Sequence, residues 1–230
     1  MTLLATLFPL LCWLVYGWGV RLIEIRRPSL SVIMSIQRRR WVANAAHRES
    51  PLDAILAGNL MQSVSFLAST SVLLILAVFT GFGQLEALQA SLAAVSLGSP
   101  YTIPEMQVHL VVMLGIFVLA FFAFTLALRQ FNHFCIMLGA IDHSTMASEE
   151  EIDAIAALNS LAARNFNNGL RAFYFAIAAV AWFATWWLAI AVSAATVIFL
   201  IHREFFSTAH RIAASATVVA ARRTSQAVHE

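Results

Sequence analysis

The residues best equipped for chemistry are arginines, amides and a histidine at the ends of apolar stretches. Arg129, Asn132 and His133 close one such stretch, with Thr125 on the same helical face. Asn165, Asn168, Arg171 and Tyr174 open another, where Arg164, Asn168 and Arg171 stand at i, i+4 and i+7. Asn59 and Gln62 lie in the polar first half of a third. Charged and amide groups at membrane depth are costly and usually face a bundle interior or a water-filled cavity. This set is rich in donors and poor in carboxylates, Asp53 being the only nearby acid within a span. It suits an anion: chloride, phosphate, a substrate carboxylate or a lipid phosphate. The competing reading is structural. Arg near a helix end can reach the headgroups, and Asn, Gln and Ser commonly join membrane helices by hydrogen bonds.

Catalytic chemistry has less support. The chain has no G-x-S-x-G, no H-E-x-x-H, no P-loop and no G-x-G-x-x-G. Glu149 to Glu151 and Asp153 belong to the start of a surface helix, where solvation and the helix dipole account for them. His109, His133 and His202 have no spacing that requires axial ligation of a haem. Cys12 and Cys135 are scattered in apolar segments and read as packing residues. We expect no catalytic residue, no metal site and no cofactor.

The elements that must position these residues follow from composition. The chain has 230 residues, 60% of them hydrophobic and 11% charged, with a mean hydropathy of +0.79. A soluble domain of this size could not hide so much apolar surface, so lipid takes the role of core solvent. The net charge of +2 gives no reason to expect nucleic-acid binding. The expected class is all-α: a polytopic transmembrane helical bundle with short surface amphipathic helices. Spans are expected at about 3–22, 52–80, 106–134, 166–184 and 187–206, all within a transmembrane domain over 1–206, followed by a cytoplasmic tail over 207–230. Pro9 is expected to bend the first span. In the second, the face carrying Asn59, Gln62 or Ser63, Phe66 and Thr70 should look at other helices. Leu85, Leu88, Leu92 and Val95 suggest a short helix on the outer surface. Ser148 and Glu151 have capping-box spacing, and Ile152, Ile155, Leu158 and Leu161 give the following helix an apolar face. The tail is Ala-, Ser- and Thr-rich, and is expected to start helical and end disordered.

Arg26, Arg27, Arg38, Arg39 and Arg40 form a basic segment at the lipid surface, with Leu30, Ile33, Met34, Ile36, Trp41 and Val42 available as an apolar face. The segment sets orientation by the positive-inside rule, and a sharper reading is a specific anionic-lipid site. With the N-terminus outside, five crossings keep every Arg inside. A single tilted helix from Ala172 to Ile201 gives four crossings and leaves Arg203, Arg211, Arg222 and Arg223 outside. The Arg bias therefore favours five, and a turn at Trp182 to Trp187 places three Trp at the outer interface. Against a tight hairpin, that turn contains no Gly or Pro.

Four stretches carry a likeness to a known family: Arg38-Arg39-Arg40-Trp41-Val42, Gly58 to Thr70 (GNLMQSVSFLAST), Leu128-Arg129-Gln130-Phe131-Asn132-His133, and Asn168-Gly169-Leu170-Arg171-Ala172-Phe173-Tyr174-Phe175. In this order they span most of the chain. The chain resembles the uncharacterised membrane family catalogued as domain of unknown function 599. The resemblance implies a polytopic membrane protein and supplies no catalytic residues. Family members often carry Pro where this chain has Ala184-Thr185, which implies a hairpin there.

The leading functional expectation is an oligomeric channel or transporter of the bacterial inner membrane, N-terminus periplasmic and C-terminus cytoplasmic. Its anion or small-solute site would draw on Arg129, Asn132, His133, Asn165, Asn168, Arg171, Tyr174, Asn59 and Gln62. The alternative is a non-transporting scaffold or lipid-binding accessory protein. The expected partners are membrane lipids and further copies of the chain, with no nucleic acid.

Overall fold

The computed structural model describes residues 2–48, 50–95, 101–145 and 147–227, which contain helices, turns and connections and no strand. In chain order the elements are α1 (Thr2–Glu24), α2 (Leu30–Ala45), α3 (Pro51–Gly83), α4 (Leu85–Val95), α5 (Ile103–Gly139), α6 (Glu149–Val180), a 3-10 turn (Ala181–Phe183), α7 (Trp186–Phe205) and α8 (Thr208–Ala227). Four stretches are long and apolar enough to cross a membrane: Leu3–Glu24, Pro51–Gly83, Ile103–Gly139 and Trp186–Val219. The all-helical class is as the sequence predicts; four of the five expected spans fall on these stretches, and the expected span at 166–184 falls on α6 and the turn after it, which are not among them. Pro9 lies inside α1 without ending it.

The last apolar stretch is not one helix. α6 stops at Val180 and α7 starts at Trp186. The rings of Tyr174 and Phe199 are 5.9 Å apart, whereas one straight helix would separate them by about 37 Å. The chain therefore folds back on itself between them. A hydroxyl and two aromatic side chains do the work that Gly or Pro usually does. Thr185 caps α7, its Oγ1 accepting from the Leu188 N–H at 3.4 Å. Breaking the helix frees backbone carbonyls. The Trp182 carbonyl accepts from the Tyr101 hydroxyl at 2.7 Å, and the Ala179 carbonyl accepts from His109 Nε2 at 3.0 Å.

By contact the chain forms two compact units. The first comprises Met1–Trp18, Ser63–Leu126 and Asn165–Phe199. One of its cores is Ala5, Tyr101, Met106, Trp182 and Ala189, against which Leu85, Leu88 and Leu92 of α4 pack. The apolar face of α4, expected on the membrane surface, is thus used on protein. Val95, the fourth residue of that expected face, lies outside the described side chains.

The second unit comprises Gly19–Gln62, Ala127–Arg164 and Leu200–Glu230. Ser29 caps α2, its Oγ accepting from the Val32 N–H at 3.2 Å. α2 packs against α8, with Gln37 Nε2 donating to Thr217 Oγ1 at 2.8 Å. His210 Nε2 donates to the Pro28 carbonyl at 3.0 Å. The stretch after Phe206 starts helical, as expected, and is held through His210 and Thr217; the helix runs to Ala227, and residues 228–230 lie outside the described residues. On α2, Ile33 and Val42 are buried while Met34 and Ile36 face outward. α6 starts as the spacing predicts, Ser148 Oγ accepting from the Glu151 N–H at 3.1 Å. Its buried face runs through Ile152, Ile155, Ala156, Asn159, Ala162 and Ala163, with Leu161 exposed.

The expectation about α3 concerns its polar face. Within the chain Asn59, Gln62, Ser63 and Phe66 of that face are exposed and Thr70 is half-buried. The buried stripe is Asp53, Ala57, Val64, Ala68, Ser71 and Val78, at spacings of three, four and seven. Small side chains let helix backbones approach closely, and in a membrane that gain outweighs burying bulk. The polar turns have no need to turn inward either. α3 has 33 residues, about 50 Å, and roughly 20 residues suffice to cross.

Candidate functional site

The second unit holds a half-enclosed cleft of about 350 Å³ where the start of α3 meets the end of α5. Its polar end is built on Asp53, in the first turn of α3, where the helix dipole favours a carboxylate. Asp53 is buried, and three donors converge on it. Arg48 gives Nη2 to Oδ1 at 2.8 Å and Nε to Oδ2 at 3.2 Å, and Trp41 gives Nε1 to Oδ1 at 2.6 Å. A buried carboxylate needs such partners, since ionising it without them is prohibitive. Trp41 is held in turn by the edge of Phe134, with ring centroids 5.4 Å apart. Ser50 and His143 complete the polar end. His143 Nδ1 lies 3.3 Å from the Ala46 carbonyl.

The wall is apolar and small. Ala54, Ala57 and Gly58 supply it from α3, and Leu138 and Gly139 from α5. Met61 and Cys135 meet across it, with Cys135 Sγ donating to Met61 Sδ at 3.6 Å. A Cβ added at Gly58 would meet nothing within 4 Å, so the wall is open there. Arg48 and Asp53 neutralise each other. The arrangement can hold a molecule with an apolar part and a polar, overall neutral or zwitterionic end.

The residues singled out from sequence divide between the units. Asn59, Gln62, Arg129, Asn132 and His133 belong to the second unit, and all five side chains are exposed. Asn165, Asn168, Arg171 and Tyr174 belong to the first. There the Arg171 guanidinium lies 5.1 Å from the centroid of the buried Tyr16 ring, and Tyr174 meets Phe199 edge-on. Asn165 is half-buried and Asn168 exposed. In the basic segment, Arg26 and Arg40 are exposed and Arg27 sits 4.7 Å over the Phe206 ring. Arg39 is bonded to Glu149 and Asp153 of α6. Arg38 is half-buried.

A family model described as "Protein of unknown function, DUF599" matches residues 4–209. The chain belongs to this family. No curated protein and no solved structure matches this DUF599 chain. All four stretches that carried the resemblance lie inside the matched range. Two of them supply cleft residues: Trp41, which holds Asp53, comes from the first, and Gly58 and Met61 from the second. Arg48, Asp53, His143 and Cys135 were not assembled from the sequence of this DUF599 protein. The available signal was Asp53, a lone acid at the start of an apolar helix five residues after an Arg.

Proposed function

We propose that this chain is a lipid-binding accessory protein of the membrane. The cleft beside Arg48, Asp53 and His143 takes the headgroup of a membrane lipid together with its first acyl carbons. The observation that carries this reading is the pairing of a buried carboxylate, neutralised by the exposed Arg48, with an open wall of Ala54, Ala57 and Gly58 in about 350 Å³. That volume lies in the range of small-molecule sites, which are mostly apolar with a few placed polar groups. Helix length supports a position at headgroup level. α3 and α5 are about 50 Å and 55 Å long, well beyond a hydrocarbon core of roughly 30 Å, and the cleft lies at the start of one and the end of the other. The arginines of the second unit support a cytoplasmic placement in a bacterial inner membrane, with the N-terminus outside. The test is native mass spectrometry of protein purified in mild detergent. The wild type is expected to carry lipid, and Gly58→Leu, which fills the cleft from an open position, to lose most of it while melting near the wild type. Equal lipid retention in both proteins would sink the reading.

A second reading, an oligomeric channel or transporter, draws on the outward faces of Asn59, Gln62, Arg129, Asn132 and His133. Those faces are available to a second copy of the chain, and an Arg, Asn and His set suits an anion. Asn168 and Arg171 would contact the anion in this reading. Chloride flux in proteoliposomes is then expected for the wild type and lost in Arg129→Gln and Arg171→Gln. A wild type without flux of chloride, phosphate or small carboxylates removes the anion pathway.

A further inference from the structure

α2 is clipped at two places to the segment that runs from α5 into α6. At one, His143 Nδ1 lies 3.3 Å from the carbonyl of Ala46, the residue that caps the end of α2. At the other, Arg39 donates through Nη2 to Glu149 and through Nε to Asp153. Glu149 and Asp153 stand one turn apart on α6, so a single guanidinium reaches both. The cleft lies beside the first contact, where Ala45 and His143 both line it. Trp41, two residues after Arg39, bonds Asp53 at the polar end. The ionic contact therefore joins the two elements that close one side of the cleft, without itself lining the space.

The face that this contact holds down is poorly matched. Asn159 sits in the middle of the buried face of α6 and is fully buried, and among the described residues neither its amide nitrogen nor its oxygen has a hydrogen-bond partner. Closing that face takes an amide out of water without return, which lowers the cost of opening it. Ala156, Ala162 and Ala163 add little apolar area, leaving Ile152 and Ile155 to hold the first turns down. Arg39, Glu149 and Asp153 are all exposed, so the strength of their contact depends on ionic strength. Just after Arg164 the helix carries Asn165, Asn167 and Asn168, residues of low helix propensity, where bending costs least.

We propose that Arg39, Glu149 and Asp153 form an ionic clip that regulates entry to the cleft. While it holds, the first turns of α6 stay against α2. When salt screens it, the start of α6 lifts, and the side of the cleft formed by Ala45 and His143 opens. Regulation of lipid entry presupposes the lipid reading of the cleft; the movement itself does not, and Cys135 reports it without lipid. Cys135 lines the cleft and is half-buried, and Cys12 is the only other cysteine of the chain. Arg40, exposed and next in sequence to Arg39, is the control cation.

The experiment measures how fast N-ethylmaleimide alkylates Cys135 in full-length Cys12→Ser protein held in an uncharged detergent. Low salt is compared with about 1 M NaCl, where the screening length is roughly 3 Å. At low salt, Arg39→Gln is expected to react about fivefold faster than the Cys12→Ser parent, and Glu149→Gln combined with Asp153→Asn to match it. The parent is expected to approach that rate at high salt, where these variants gain nothing further. Arg40→Gln is expected to behave as the parent. Arg39→Gln reacting at the parent's rate, a full salt response kept in Arg39→Gln, or the same acceleration in Arg40→Gln overturns the proposal. The three clip side chains are exposed, so removing their charges is expected to leave the fold intact. Lipid is scored separately by native mass spectrometry. A parent that carries no lipid yet shows this labelling pattern removes the lipid reading and keeps the clip; a lipid-loaded parent without the labelling difference does the reverse.

Discussion

Trp182→Ala is expected to destabilise the chain by about 3–5 kcal/mol, the range for truncating a fully buried Trp. Trp182 is completely buried at the point where α6 turns towards α7. Tyr101 stacks on its ring at 4.0 Å and His109 stacks at 4.2 Å, while Phe183 meets it edge-on at 5.7 Å. Ala at this position removes the ring on which Tyr101 and His109 stack, leaving His109, of its ring contacts, only the edge contact with Phe183 at 5.2 Å. The loss also reaches the backbone. Tyr101 is held where its hydroxyl reaches the Trp182 carbonyl, and His109 where it reaches the Ala179 carbonyl. Loosening either ring exposes a carbonyl freed by the helix break. Thermal unfolding in detergent, followed by helical circular dichroism, is the measurement. For a chain of this size each kcal/mol shifts the midpoint by roughly 2–4 °C, so a fall of about 6 °C or more is expected. Tyr101→Phe keeps the stack and removes only the hydroxyl, and is expected to cost about 1–2 kcal/mol. A Trp182→Ala protein that melts with the wild type would mean that the stack does not hold the turn.

Much of the hairpin was legible in the sequence. The arginine distribution asked for two crossings after Arg171, and three Trp marked the bend. The absence of Gly and Pro was the objection, and the answer was also written there, in Thr185 three residues before Leu188. A Thr cap starts a helix as effectively as a Gly ends one. The start of α6 was legible for the same reason, in Ser148. What could not be read was which face of a membrane helix turns inward. In water the apolar face goes in, but in a span both faces are apolar. The polar side of α3 looked like the buried one because lipid disfavours Asn and Gln. That argument assumes every polar turn lies within the hydrocarbon, and α3 is long enough to carry Asn59 and Gln62 past it. The cleft was hidden by sequence distance. Asp53 and His143 are 90 positions apart, and neither belongs to the stretches that carried the family likeness. Arg39 was grouped with Arg38 and Arg40 as surface charge, yet its partners Glu149 and Asp153 lie on a helix more than 100 residues away.

The same Gly→Ala substitution is expected to act in opposite directions at two positions of the first unit. At Gly169, on α6, a Cβ would lie 2.7 Å from Phe124 Cε1 and 2.8 Å from Cδ1. Phe124 is fully buried, with Phe173 against it at 5.3 Å and Phe166 at 6.0 Å. The ring therefore has nowhere to move, and the helices must part. Overpacking of this kind costs about 1–3 kcal/mol, against a gain of up to about 1 kcal/mol from replacing Gly in a helix interior. The net expectation for Gly169→Ala is a clear loss of stability. At Gly81, on α3, a Cβ would meet only Leu110, at 3.7 Å and 3.8 Å, which is ordinary contact. Gly81→Ala is expected to be neutral or slightly stabilising. Pairing Gly169→Ala with Phe124→Leu separates packing from propensity. Removing the ring makes room for the methyl group, so the double variant should lose less than the two single losses added together. Strict additivity, or a Gly169→Ala protein that melts above the wild type, would show that α6 and α5 do not meet this closely at Gly169. Rescue would instead identify that glycine, one of the residues carrying the family likeness, as the place where the backbone of α6 is let in against the ring of Phe124.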